Sequence, residues 1–175
     1  MHRLMLLRHA KSDWSGSGRS DHERGLAARG QTAAPLIGRY MASEGLVPDH
    51  AIVSTATRTR ETWRLAADAF PQKPRATYEP RIYEADPAAI IAAIKEAPPT
   101  TNTLLVVGHN PGFHDTAMLL VGSGDKKSRA KLSAKFPTAA LAVIDFDIAK
   151  WSAIRPGSGR LERFITPRAI GGEDD

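Results

Sequence analysis

Two histidines and two arginines carry the chemistry that this sequence suggests. Arg8 and His9 close an apolar run, residues 3–8 (RLMLLR). Arg58 lies in residues 54–62 (STATRTRET), just after a second apolar run, and His109 lies in residues 108–112 (GHNPG), just after a third. In open α/β sheets, ligands bind outside the carboxyl ends of the strands. Three strand ends would therefore bring Arg8, His9, Arg58 and His109 to one edge of a sheet. Two guanidinium groups, two imidazoles and a helix N-terminus after Asn110 can surround a tetrahedral dianion with donors. Imidazole is a competent nucleophile near neutral pH, because its unperturbed pKa is roughly 6.5. A neutral His9 can attack phosphorus and form a covalent phosphohistidine. Arg8, Arg58 and a protonated His109 would then stabilise the charge on the equatorial oxygens. No metal or other cofactor is expected: the histidines lack H-E-x-x-H spacing and the acidic residues form no compact ligand cluster.

The elements that must position these residues are legible as alternating strands and helices. Strands are expected over 3–8, 50–54 (HAIVS) and 103–108 (TLLVVG), with two closing strands over 139–147 and 160–166. Helices are expected over 27–44, 58–70 and 87–97, and from Asn110 to near Gly122, with Asn110 as N-cap and Pro111 at the first helical position. Pro35 predicts a kink in the first helix, or a helix that begins only a few residues before it. Gly45 can end that helix, and Pro71 and Pro74 break the chain after the second. Residues 12–24 and the basic stretch 123–137 read as loops, and the final GGEDD as a mobile tail. The pattern predicts an α/β fold: a three-layer α/β/α sandwich with a mostly parallel central sheet, in one domain over residues 1–175.

Composition narrows the field. The chain has 175 residues, 42% of them hydrophobic, which suits one globular domain. Cysteine is absent, which excludes disulfides, cysteine nucleophiles and thiolate metal sites. No apolar run approaches the roughly 20 residues needed to cross a bilayer, so no membrane association is expected and the cytoplasm is the default location. The net charge is +5. Lys126, Lys127, Arg129, Lys131 and Lys135 form its one mild cluster, read either as a solvated loop or as a surface over the pocket that attracts an acidic phosphoprotein. No nucleic-acid-binding signature accompanies it, so nucleic acid is not an expected partner. Small size and the lack of heptads favour a monomer.

The three motifs together resemble the histidine phosphatase superfamily. Residues 6–10 (LLRHA) look like its N-terminal R-H-G signature with Ala10 in place of Gly. The segment from Ser54 to Arg58 and Thr62 resembles its second motif, and GHNPG its third. The stretches RHAKSDW, ERGLAARG and FPTAALAVIDF are similar to the SixA-type phosphohistidine phosphatases, small members without a large cap. The resemblance covers residues 4 to about 166. It implies a phosphoglycerate mutase-like fold, a phosphohistidine intermediate on His9, and a phosphate pocket of Arg8, Arg58 and His109.

Many members of the superfamily also supply a general acid, for which Glu79 and Glu84 in residues 78–86 (YEPRIYEAD) are the candidates here. An alkoxide leaving group needs such an acid, whereas imidazole leaves far more easily. An enzyme for P–N bonds can therefore do without one. Arg24 and Asn110 are further candidates for substrate contact; for Arg24 a surface salt bridge to Asp21 or Glu23 is the alternative. The leading expectation is hydrolysis of phosphohistidine on a protein partner. A phosphatase of small phosphate monoesters is the alternative, and a non-catalytic phosphate- or nucleic-acid-binding module a distant third.

Overall fold

The computed structural model describes residues 1–16 and 18–175. Its centre is a seven-stranded sheet in the order β3-β2-β4-β1-β6-β7-β5. The strands are β1 (His2–Arg8), β2 (His50–Ser54), β3 (Arg75–Glu79), β4 (Thr103–Gly108), β5 (Val121–Gly124), β6 (Leu141–Phe146) and β7 (Gly159–Ile165). The helices are α1 (Ala28–Ser43), α2 (Thr57–Ala67), α3 (Pro87–Lys95), α4 (Gly112–Leu120) and α5 (Lys126–Ala134). Four of the six strand pairings are parallel; β6 runs antiparallel to both β1 and β7.

Side chains of the central strands alternate between two cores, as the two-residue period of a strand requires. Met5, Leu7, Val53, Leu105 and Val107 pack under Ile37 and Met41 of α1 and Trp63 and Ala66 of α2. Leu4, Leu6, Ile52, Leu104 and Val106 face the other way, against Ile90 and Ile94 of α3, Phe113 and Leu120 of α4, and Leu132 of α5. That is the expected three-layer arrangement. α1 and α2 approach very closely: a methyl at Gly38 would fall 2.2 Å from the carbonyl oxygen of Ala66.

Helix α1 continues through Pro35 from a start at Ala28, so it neither breaks at the proline nor begins just ahead of it. Its end follows the glycine logic expected of Gly45, which takes φ 71° while Leu46 N–H donates to Met41 O at 2.8 Å. Two expectations need correction, and one strand was not expected. Residues 75–79 form an edge strand whose mostly exposed side chains leave no apolar run to read. The segment 123–137 is not a loop: it contains the last two residues of β5 and all of α5, whose Asp125 cap accepts from Ser128 N–H and whose one buried residue is Leu132. A helix with a single apolar anchor shows no amphipathic period. Helix α4 starts at Gly112 rather than at Pro111, and Asn110 is not its cap; Asn110 Oδ1 instead accepts from His114 N–H at 3.2 Å. In the segment 12–24 a short bridge pairs Ser12 with Leu26, and position 17 lies outside the described residues. The terminal segment folds back rather than projecting: Asp175 accepts from Thr138 N–H at 3.0 Å and Asp174 from Arg168 N–H at 2.9 Å.

Candidate active site

Strand register brings the two histidines together. β1 and β4 are parallel with Arg8 opposite Gly108, so the next residues, His9 and His109, emerge side by side. His9 N–H donates to Gly108 O at 3.0 Å, and the two imidazole centroids are 5.4 Å apart. β2 lies on the far side of β4 and delivers Ser54 to the same edge, where its hydroxyl meets His109 Nε2 at 2.7 Å. Two residues after β2 the chain enters α2, whose first turn carries Arg58, buried with only 5% exposure. Arg8, the last residue of β1, anchors Nη1 on Phe136 O at 3.0 Å.

A hydrogen bond assigns the proton on the His9 ring. His9 Nδ1 sits 2.7 Å from Ala10 O, and a carbonyl only accepts, so Nδ1 carries the hydrogen and Nε2 keeps a free lone pair. The Ala10 peptide is itself pinned. Its N–H donates to Thr62 Oγ1 at 3.0 Å, and that hydroxyl donates to Arg58 O at 2.7 Å. Thr62 thus links the peptide that orients His9 to the helical turn that carries Arg58. Ala56 N–H donates to Ser54 Oγ at 3.5 Å, and the same oxygen lies 2.7 Å from His109 Nε2. His109 Nδ1 is a buried atom without a partner.

Both imidazoles are neutral in this state. Burial drives His9 well below the ordinary histidine value, and the positive Arg8 and Arg58 add to the effect. Burial and Arg58 lower His109 to about 3, against the opposing charge of Asp21. The protonated His109 expected from the sequence is therefore neutral in this state. Arg8 Nε and Arg58 Nε are likewise buried without a partner. Buried donors left unpaired in this way are costly, and a cluster of them calls for an explanation.

The remaining candidates divide. Arg24 does pair with Asp21, at 2.9 Å, and its guanidinium lies 3.5 Å over the exposed ring of Trp14. Asn110 has both ends of its amide engaged by the protein, with Nδ2 on Phe136 O at 2.9 Å. Glu79 is held by Arg81 at 2.8 Å, and that contact keeps its carboxyl below the usual range. Glu84 is exposed and lines a cleft of about 470 Å³ beside His109, Asn110 and Asp115. Two residues were not expected in the site, Tyr83 and Asp21, the latter expected only as a surface salt-bridge partner of Arg24. Asp21 accepts from Arg58, Arg24 and Tyr83, and the Tyr83 ring stands edge-on to His109 with centroids 5.4 Å apart. Tyr83 sits between the two glutamates, where a search for a carboxylate passes over a phenol. Among the described residues, no group of three or more His, Asp or Glu side chains is placed to hold a metal ion, and no helix is long and apolar enough to cross a membrane.

Comparison with known proteins shows the family. Residues 4–89 match the family model of the histidine phosphatase superfamily (branch 1). An uncharacterized protein of Mycobacterium tuberculosis is 35% identical over 164 residues, covering 93% of this chain and all of that one. The crystal structure of a candidate phosphohistidine phosphatase SixA from Agrobacterium tumefaciens superposes with a TM-score of 0.80 at 31% identity, covering 95% of this chain and 98% of the other. A second SixA candidate, from Nakamurella multipartitia, also gives 0.80 at 27% identity, covering 95% and 96%. With its two histidines side by side at adjacent strand ends and 93–95% of its length shared with such relatives, the chain belongs to the histidine phosphatase superfamily, in its SixA-like branch.

Proposed function

We propose that the protein is a metal-independent phosphatase that hydrolyses phosphohistidine on a protein partner, with His9 as nucleophile. Membership of the superfamily supports phosphatase activity; the cluster of unpaired buried donors beside His9 supports the particular mechanism. Arg8 Nε, Arg58 Nε and His109 Nδ1 are buried without partners at the edge where His9 presents Nε2. With the His109 hydrogen on Nδ1, they form three donors that match the three equatorial oxygens of a phosphoryl group in transfer. The guanidinium groups supply the positive charge that a metal ion supplies elsewhere.

In the first step His9 Nε2 forms a bond to phosphorus while the P–N bond of the substrate breaks, and the departing imidazole takes up a proton from water. In the second, a water oxygen bonds to phosphorus, the His9–phosphorus bond breaks, the water loses a proton to solvent, and phosphate leaves. Imidazole needs no strongly placed acid to depart, which fits a site where Glu79 is engaged by Arg81.

Single-turnover reaction with a ³²P-phosphohistidine protein, in chelator, should leave acid-labile, base-stable label on the enzyme. His9→Ala should carry none. Label or turnover that persists in His9→Ala would end the assignment. One observation favours a second reading, hydrolysis of phosphate monoesters: Glu84 lines the cleft beside His109 and is free to act as an acid. In that case Glu84→Gln would slow monoester hydrolysis about 100-fold or more. Under the leading reading it would leave phosphohistidine turnover within about threefold of the parent.

A further inference from the structure

Arg58 is gripped from one side only. Its Nη1 donates to the main-chain oxygen of Asp21 at 2.8 Å and its Nη2 to Asp21 Oδ2 at 3.1 Å. Both contacts engage the end of the guanidinium fork. The other edge, which includes Nε–H, is buried and unpartnered. Asp21 is held in turn: Tyr83 O–H also donates to Oδ2, and Arg24 Nη2 donates to Oδ1 at 2.9 Å. Three donors from three separate segments therefore converge on one carboxylate, and they keep Asp21 ionised, with its carboxyl far below the usual range.

We propose that Asp21 is a positioning residue for the phosphatase reaction: it clamps the far end of Arg58 and so presents the Nε edge of that arginine to the phosphoryl group. The inference rests on the phosphatase reading above and adds to it the group that sets the aim of Arg58. An arginine has several donors in a rigid planar fork, and its long stem has many rotamers. A carboxylate and a carbonyl from the same residue, bound to the fork's end, remove most of that freedom before substrate arrives. A displacement of about 1 Å at such a group can cost on the order of 100-fold in rate. An opposite role would be a competitor, in which Asp21 occupies donors that phosphate must win back. The two roles predict opposite signs.

The test is a double-mutant cycle on the full chain, read by kcat/KM on a phosphohistidine protein and by calorimetric binding of inorganic phosphate. Asp21→Asn places an amide donor against a guanidinium, releases the clamp, and should lower kcat/KM by about 10- to 100-fold. Phosphate binding should weaken in the same variant. In an Arg58→Ala background, Asp21→Asn should change neither quantity further, because its partner is gone. Asp21→Glu should recover part of the loss. Should Asp21→Asn fail to fold by circular dichroism, Tyr83→Phe carries the test, since it removes one donor to Asp21 and leaves Arg58 intact; it should act in the same direction, more weakly. Losses that multiply with Arg58→Ala, or phosphate bound as tightly as in the parent or more so, would overturn the clamp. If the parent protein neither hydrolyses phosphohistidine nor binds phosphate, the phosphatase reading falls instead.

Discussion

A single threonine hydroxyl joins two catalytic candidates that lie fifty residues apart. Thr62 accepts from Ala10 N–H and donates to Arg58 O, and Ala10 O in turn holds His9 Nδ1. Thr62→Val keeps the shape and removes both bonds, leaving the Ala10 N–H unpaired while Arg58 O keeps its helical partner; it should cost about 1–3 kcal/mol in urea denaturation and slow phosphoryl transfer to His9 in a single-turnover assay. The same two rings make stability depend on acidity. His109 is lowered to about 3 and His9 is lowered well below the ordinary value by burial. Above about pH 6.5 the folded and unfolded chains are both neutral at these rings, and they contribute nothing to the slope. Below it the unfolded chain binds protons that the folded chain refuses, so stability falls as pH drops from about 6.5 toward 3. His109 contributes on the order of 1.4 kcal/mol per pH unit in that window, and His9 acts in the same direction. Denaturant midpoints between pH 7 and pH 5 should show the decline, and His109→Gln should reduce its slope by about one ring's share. Ala10 itself, which stands where the superfamily motif has Gly, is fully buried.

The strands and helices show how far sequence patterns reach. β1, β2 and β4 were readable because each is a buried apolar run that ends at a polar turn, and these are the strands that deliver the site. The register of Arg8 against Gly108 then follows from their parallel pairing. The elements that escaped have little apolar content: β3 is an exposed edge strand, and α5 buries one leucine. Asp21 and Tyr83 escaped for a different reason. Each gains its role only from a residue remote in sequence, as Arg58 Nη2 meets Asp21 Oδ2 across 37 positions, and no local spacing records that contact. Close helix packing was equally hidden. Gly38→Ala should place a methyl against Ala66 O, where 2.2 Å separates the two positions. Pushing α1 from α2 should cost about 1–3 kcal/mol in denaturant unfolding, although the same substitution in an isolated helix would favour helix formation.

Over the whole molecule, positive charge exceeds negative by five. Lys126, Lys127, Arg129 and Lys131 sit on α5, and the chain passes from α5 through Lys135 to Phe136, whose carbonyl holds Arg8 and Asn110. Such a field speeds encounters with an acidic phosphoprotein and is screened over about 10 Å at 0.1 M salt. For an acidic phosphohistidine protein, kcat/KM should fall several-fold between 20 mM and 300 mM added salt, with kcat nearly unchanged. A small uncharged-leaving-group substrate should show much less dependence. An equal decline for both would place the salt effect inside the pocket.

Sheet order has a consequence for biosynthesis. β4 is inserted between β1 and β2, and so separates two strands that leave the ribosome well before it. A nascent chain that ends short of β4 has a gap at the middle of its sheet, with the edges of β1 and β2 unsatisfied. On the proposed reading, phosphate capture therefore awaits residue 109 and the pairing of this late strand between its two earlier neighbours.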